Sequence, residues 1–134
     1  GYARTNYAEL IGINTVNNTI EKNFVFPAKQ ASPTCLRIDG SGVTLYYLES
    51  GVRQMEIIAS GLPTDPLIPE SGHLFYKIGI NPVNSDIFLT DAIDYQQSGY
   101  LINYKKDGTL ISEQPADIVP AFMCFKLNVN LMAE

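Results

Sequence analysis

A gapless internal repeat constrains this chain more than any other feature. Leu36-Arg37-Ile38-Asp39 recurs as Ile78-Gly79-Ile80-Asn81, and at the same offset Leu45-Tyr46-Tyr47 falls on Ile87-Phe88-Leu89. Each unit reads as one strand, a tight turn carrying Gly or Asn, then a second aliphatic-aromatic strand. The stretch 10–26 resembles 101–114 in the same way, with Asn17-Asn18-Thr19-Ile20 matching Lys106-Asp107-Gly108-Thr109-Leu110. A repeat of about 42 residues, with four short strands per unit, is the period of a β-propeller blade. A β-sandwich whose hairpins happen to share that spacing is the alternative.

Local patterning agrees with an all-β chain. Gly, Pro, Asn and Asp punctuate the sequence every ten or so residues, and the runs between them are rich in β-branched and aromatic residues. The predicted strands are 8–14, 19–26, 34–39, 44–49, 53–60, 75–81, 86–91, 99–105, 109–114 and 121–128. Lys106-Asp107-Gly108 is a strong hairpin turn because Asp-Gly accommodates positive φ, and Asn17-Asn18 can serve the first hairpin likewise. Asp39-Gly40-Ser41-Gly42-Val43 has two glycines but no Lys, so it reads as a hairpin turn and not a phosphate loop. Grouped by the repeat, residues 7–26 form the outer two strands of one blade. Residues 33–68 and 74–117 are full blades, and 121–128 is the inner strand of another. The expected architecture is therefore four-stranded antiparallel blades in an incomplete ring of two to three, whose unpaired edges need covering. Missing blades of a longer chain, or copies of itself, are the expected partners.

Composition removes several function classes. The 134 residues carry a net charge of -5 with only 9 Lys and Arg, which do not cluster, so a nucleic-acid footprint is not expected. The longest apolar runs, such as 118–125, are too short to span a membrane and are broken by Pro120. The chain opens on the polar Gly1-Tyr2-Ala3-Arg4, which reads as a trimmed start and says nothing about the native compartment. Cys35 and Cys124 are too few for a disulfide scaffold and lack metal-knuckle spacing. Both lie in apolar runs and are expected to be buried thiols.

No catalytic set, metal site or cofactor emerges from the residue pattern. His73 is the single histidine and sits in the turn Gly72-His73-Leu74, where an exposed loop residue is the expectation. A hydrolase or lyase would have to use it with Asp91 or Asp94. The carboxylates of Asp91 and Asp94, with Asp86 nearby, offer oxygen ligands to a divalent cation but lack calcium-loop spacing. Asx residues in such positions more commonly bond backbone N–H groups of turns. Tyr46, Tyr76 and Tyr104 fall within strands, whereas Tyr95 falls in a loop and can offer an aromatic face to a sugar or other small ligand. In a propeller, ligands commonly use the face bearing the blade-to-blade loops and the loops between second and third strands. On that topology the candidate ligand-binding residues are Glu70, His73, Asp91, Asp94, Tyr95, Gln96 and Gln97.

The stretch from Tyr76-Lys77-Ile78-Gly79-Ile80-Asn81-Pro82 to Asp86-Ile87-Phe88-Leu89 carries a family resemblance. It continues through Thr90-Asp91-Ala92-Ile93-Asp94-Tyr95, Gly99-Tyr100-Leu101, Tyr104, Asp107-Gly108 and Pro120-Ala121-Phe122. Residues 33–128 resemble the last blades of the YncE-like propeller proteins of Bacteroides-type bacteria, described as surface-layer-like proteins or lipoproteins. Members usually have seven blades, so this chain departs from them in length. The resemblance implies an exported, extracytoplasmic binding protein at the cell surface or in the periplasm, and one branch of the family captures cobalamin. Because the loops show no convergent acid, base or nucleophile, the first reading is a non-enzymatic binding or scaffold segment, with a small molecule or glycan as the candidate ligand. A self-assembling structural protein is a third reading.

Overall fold

A computed structural model describes residues 5–127. The described chain is all-β, with nine strands in three antiparallel sheets of two, three and four strands. It forms two compact units divided between Gly72 and His73.

The first unit holds β1 (Glu9–Asn14) and β2 (Thr19–Val25) as one hairpin, then β3 (Thr34–Ile38), β4 (Thr44–Leu48) and β5 (Val52–Glu56) as a meander. The first turn closes as its asparagines dictate. Asn18 adopts φ 57°, and Asn17 Oδ1 accepts from the Thr19 N–H at 3.1 Å. Along β1 one face turns Leu10 inward while Ile11 and Ile13 point away, the alternation of a half-buried sheet. Leu10 and Phe24 pair across the hairpin and pack with Ala8 and Leu45 against a buried cluster of Phe26, Ala31, Tyr47 and Met55. Two strands alone are marginal in water, so this packing is what holds the hairpin. Lys22 adds a polar tie, donating from Nζ to the Ile57 and Ala59 carbonyls at 2.8 and 2.9 Å. Where a full four-stranded unit was expected over 33–68, three strands form, and Val52 makes one isolated bridge to Ile68.

The second unit is a four-stranded meander: β6 (Phe75–Ile80), β7 (Ile87–Asp91), β8 (Ser98–Tyr104) and β9 (Leu110–Ile118). Ile78, Leu89 and Ile102 line up across three strands and are at most 1% exposed. Full burial of each such side chain contributes roughly 1.5–3 kcal/mol. On the opposite face the Gly79–Phe88 pair lies under the chain at 121–127, where Phe125 meets the Phe88 ring at 5.2 Å. A Cβ on Gly79 would run into the Met123 side chain, which would have to shift to admit it.

The repeat is visible in the strand register. Ile38 pairs with Leu45 and Ile80 with Ile87; Arg37 pairs with Tyr46 and Gly79 with Phe88. Both turns also close with the same bond, from the Asp39 N–H to the Thr44 carbonyl at 3.0 Å and from the Asn81 N–H to the Asp86 carbonyl at 2.9 Å. All of these pairs keep the offset that takes Leu36 to Ile78. It then breaks. Leu48 pairs with Val52, but its counterpart Thr90 pairs with Leu101 and not with Asp94, the position that the offset assigns to Val52. The span from Thr90 to its partner Leu101 is thus seven residues longer than the span from Leu48 to Val52.

Two expectations are corrected. No strand forms over 121–127, although one was expected at 121–128; Asn128 and Gly1–Arg4 lie outside the described residues. Cys124 is exposed and Cys35 half-buried, where both were expected to be buried. The segment at 121–127 alternates, turning Met123 and Phe125 toward the sheet and leaving Cys124 on the outer side.

Gly42 and Gly51 give a matched test of backbone demand. Both have positive φ, but a Cβ on Gly42 meets nothing, while one on Gly51 lies 2.5 Å from the Ile68 carbonyl oxygen. Gly42→Ala is expected to cost about 1 kcal/mol from left-handed backbone alone, and Gly51→Ala clearly more, as read from urea midpoints. Equal losses would contradict the close approach at Ile68.

Candidate functional site

The site forms where the second unit's chain enters β6 and leaves β7. Asp91, the last residue of β7, is only 3% exposed. Its Oδ1 accepts from the Leu74 N–H at 3.0 Å and the Ile93 N–H at 2.8 Å, and Oδ2 lies 2.7 Å from His73 Nδ1. Leu74 returns a bond, its carbonyl accepting from the Ala92 N–H at 3.1 Å. Burial pushes the Asp91 carboxyl upward, but the Ile93 N–H, the His73 side chain and the Leu74 N–H outweigh it. They hold the group below its ordinary carboxylate value.

His73 is therefore not the exposed loop residue expected. Its side chain is 28% exposed and its ring stacks on Phe75, with centroids 5.5 Å apart and planes 11° apart. The alternation of β6 turns Phe75 inward, and the stack draws His73 with it.

The long connection beyond β7 is ordered by a second aspartate. Asp94 Oδ1 accepts from the N–H groups of Gln96 and Gln97 at 2.9 and 3.0 Å, and Gln97 Nε2 donates to Oδ2 at 2.8 Å. These bonds, led by the Gln97 side chain, hold the Asp94 carboxyl below its ordinary value. Both aspartates act as turn caps, the Asx role expected from their type. Among the described residues, no group of three His, Cys, Asp or Glu side chains is placed to hold a metal ion.

Tyr95 rides on this capped turn at φ 64° and is 51% exposed. Its ring meets Tyr76 edge-on, with centroids 5.6 Å apart at 88°. Of the sequence-derived candidates, His73 and Asp91 are joined directly, and Asp94, Tyr95, Gln96 and Gln97 form the adjoining exposed turn. Glu70 belongs to the first unit. The residues that sequence reasoning left out of the site are Tyr76, Lys77 and Phe122. Pairing shifts register between Phe75 and Lys77, and the Lys77 N–H bonds Thr90 Oγ1 at 3.0 Å. Such a bulge re-aims side chains. It accompanies an arrangement in which Lys77 Nζ stands 4.5 Å from the centroid of its neighbour Tyr76 and 5.9 Å from that of Phe122. A bulge has no sequence signature here, so the pairing of neighbours 76 and 77 was not readable.

The depressed Asp91 value has a stability consequence. The carboxylate gains partners on folding, so its contribution is fully present above about pH 4, the unfolded value, and is lost as pH falls through the lower folded value. Asp91→Asn is expected to lower stability at pH 7 and to flatten the decline below pH 4, measured by urea unfolding across pH 2–7. An unchanged acid limb would remove Asp91 as its source.

No protein-family model matches the chain, and no curated protein matches it.

Proposed function

We propose that the two units are β-propeller blades and that the chain is a non-enzymatic binding or scaffold segment acting outside the cytoplasm, at the cell surface or in the periplasm. The hairpin register shared by the two units at one constant offset supports the blade reading, together with the resemblance to YncE-like propellers. The observation that carries the binding reading is how the site spends its polar groups. Both Asp91 oxygens and both Asp94 oxygens are occupied in holding the chain, while an exposed tyrosine is presented beside them. The location rests on the resemblance.

The 2.7 Å contact between His73 and Asp91 favours one other reading, a hydrolase or lyase using that pair. Incubation with dextran, laminarin, polygalacturonate and heparin separates the two. Retardation of the protein in gels containing a polysaccharide, without release of reducing ends, is the expected result. Depolymerisation abolished by His73→Ala would overturn the binding reading.

The outward face of the first hairpin bears on the partners. Ile11, Ile13, Ile20 and Val25 are 43–63% exposed on one side of a two-stranded sheet. Further blades of a longer chain, or a copy of the same chain, suit such a surface. Light scattering is expected to show association that rises with concentration and weakens in Ile13→Lys. A monomer at every concentration would count against this contact.

A further inference from the structure

We infer that the cluster of Tyr76, Lys77, Tyr95 and Phe122 is a binding site for an acidic glycan, a sugar chain carrying carboxylate or sulfate groups. This rests on the binding reading above and gives it a ligand class. Tyr95 is 51% and Phe122 90% exposed. The Tyr76 ring lies edge-on to Tyr95 and beneath the Lys77 ammonium, which also lies 5.9 Å from the Phe122 ring centroid. Apolar ring faces suit the C–H faces of pyranose rings, and tyrosine adds a hydroxyl for sugar hydroxyls.

Lys77 decides the charge of the ligand. Among the described residues, no carboxylate lies within ion-pair distance of its Nζ. An ammonium at 4.5 and 5.9 Å from two ring centroids is held in place and has N–H donors to spare for an incoming anion. The same ammonium fills the space a ligand cation would take, which argues against a quaternary ammonium ligand. Nucleic acid is disfavoured because the chain carries a net charge of -5 and the cluster holds one lysine. One cation among exposed rings instead matches a single carboxylate or sulfate of a sugar chain whose pyranose faces lie on those rings.

Affinity electrophoresis of the whole chain in gels containing polygalacturonate, heparin or neutral dextran tests the assignment. Retardation by an acidic polymer and not by dextran is expected, weakening as salt is raised. Tyr95→Ala and Lys77→Gln are each expected to weaken it about tenfold or more, while Tyr95→Phe, which keeps the ring, retains it. Lys29→Gln is the control, since Lys29 Nζ lies 5.6 Å from the Tyr7 ring in the other unit; it should bind as the parent does. Circular dichroism of each variant checks that the fold is intact. Retardation by dextran that needs Tyr95 but is indifferent to Lys77 would overturn the acidic class and leave the binding reading standing. Absence of retardation by either acidic polymer overturns the site assignment. Depolymerisation that depends on His73 overturns the underlying binding reading instead.

Discussion

The buried carboxylate of Asp91 is the interaction on which the second unit's functional end depends. It reaches from the last residue of β7 to the backbone just before β6 and to the backbone just after itself. Hydrogen bonds to a charged group contribute about 1.5–3 kcal/mol each, and a buried charge left without them is costly. The three partners thus justify the burial, and the burial in turn fixes the geometry. His73, Leu74, Ala92 and Ile93 are all positioned through this one group, directly or by the returned bond from Ala92 to Leu74. The exposed turn that follows therefore starts from a rigid base.

Much of the sheet structure was legible because register follows side-chain alternation and turn chemistry. The constant offset between the two units predicted matching hairpins, and Ile38–Leu45 and Ile80–Ile87 pair as it required. Asn18, Gly42 and Gly108 all take the positive φ that their turns demanded. The failure at 121–127 has a plain cause. Apolar alternation there reports a segment with one covered face, but alternation does not supply a neighbouring strand to hydrogen-bond. Met123 and Phe125 cover Gly79 and Phe88 without pairing. Coverage and strand pairing are separate demands, and alternation reports only the first.

The candidate site was legible in its turn residues and illegible in its long-range contacts. Asp91 and Asp94 were readable as caps because an Asx side chain bonds backbone two or three residues on. The 18-residue separation between His73 and Asp91 left no such local signal, and the stack on Phe75 that half-buries the imidazole needs three dimensions. Lys77 was hidden for a related reason. In a regular strand, residues 76 and 77 point to opposite faces. The register shift before Lys77 accompanies an ammonium lying over its neighbour's ring.

The seven-residue extension ties these observations together through its strain. Ile93 and Tyr95 both have positive φ, at 51° and 64°. Each such residue costs about 1–2 kcal/mol, and for a β-branched isoleucine the conformation is a genuine outlier. Strain of this kind persists where surrounding bonds over-determine the backbone, and it gathers at sites of recognition. Here the over-determination is supplied by Asp91 bonding the Ile93 N–H and Asp94 bonding those of Gln96 and Gln97. The corresponding connection after β4 closes its hairpin between Leu48 and Val52 with a glycine at one of its two positive-φ positions. Hairpin closure alone therefore does not require the longer turn. What the extension adds, at a cost in backbone strain that two aspartates offset, is one tyrosine ring held half-exposed against Tyr76.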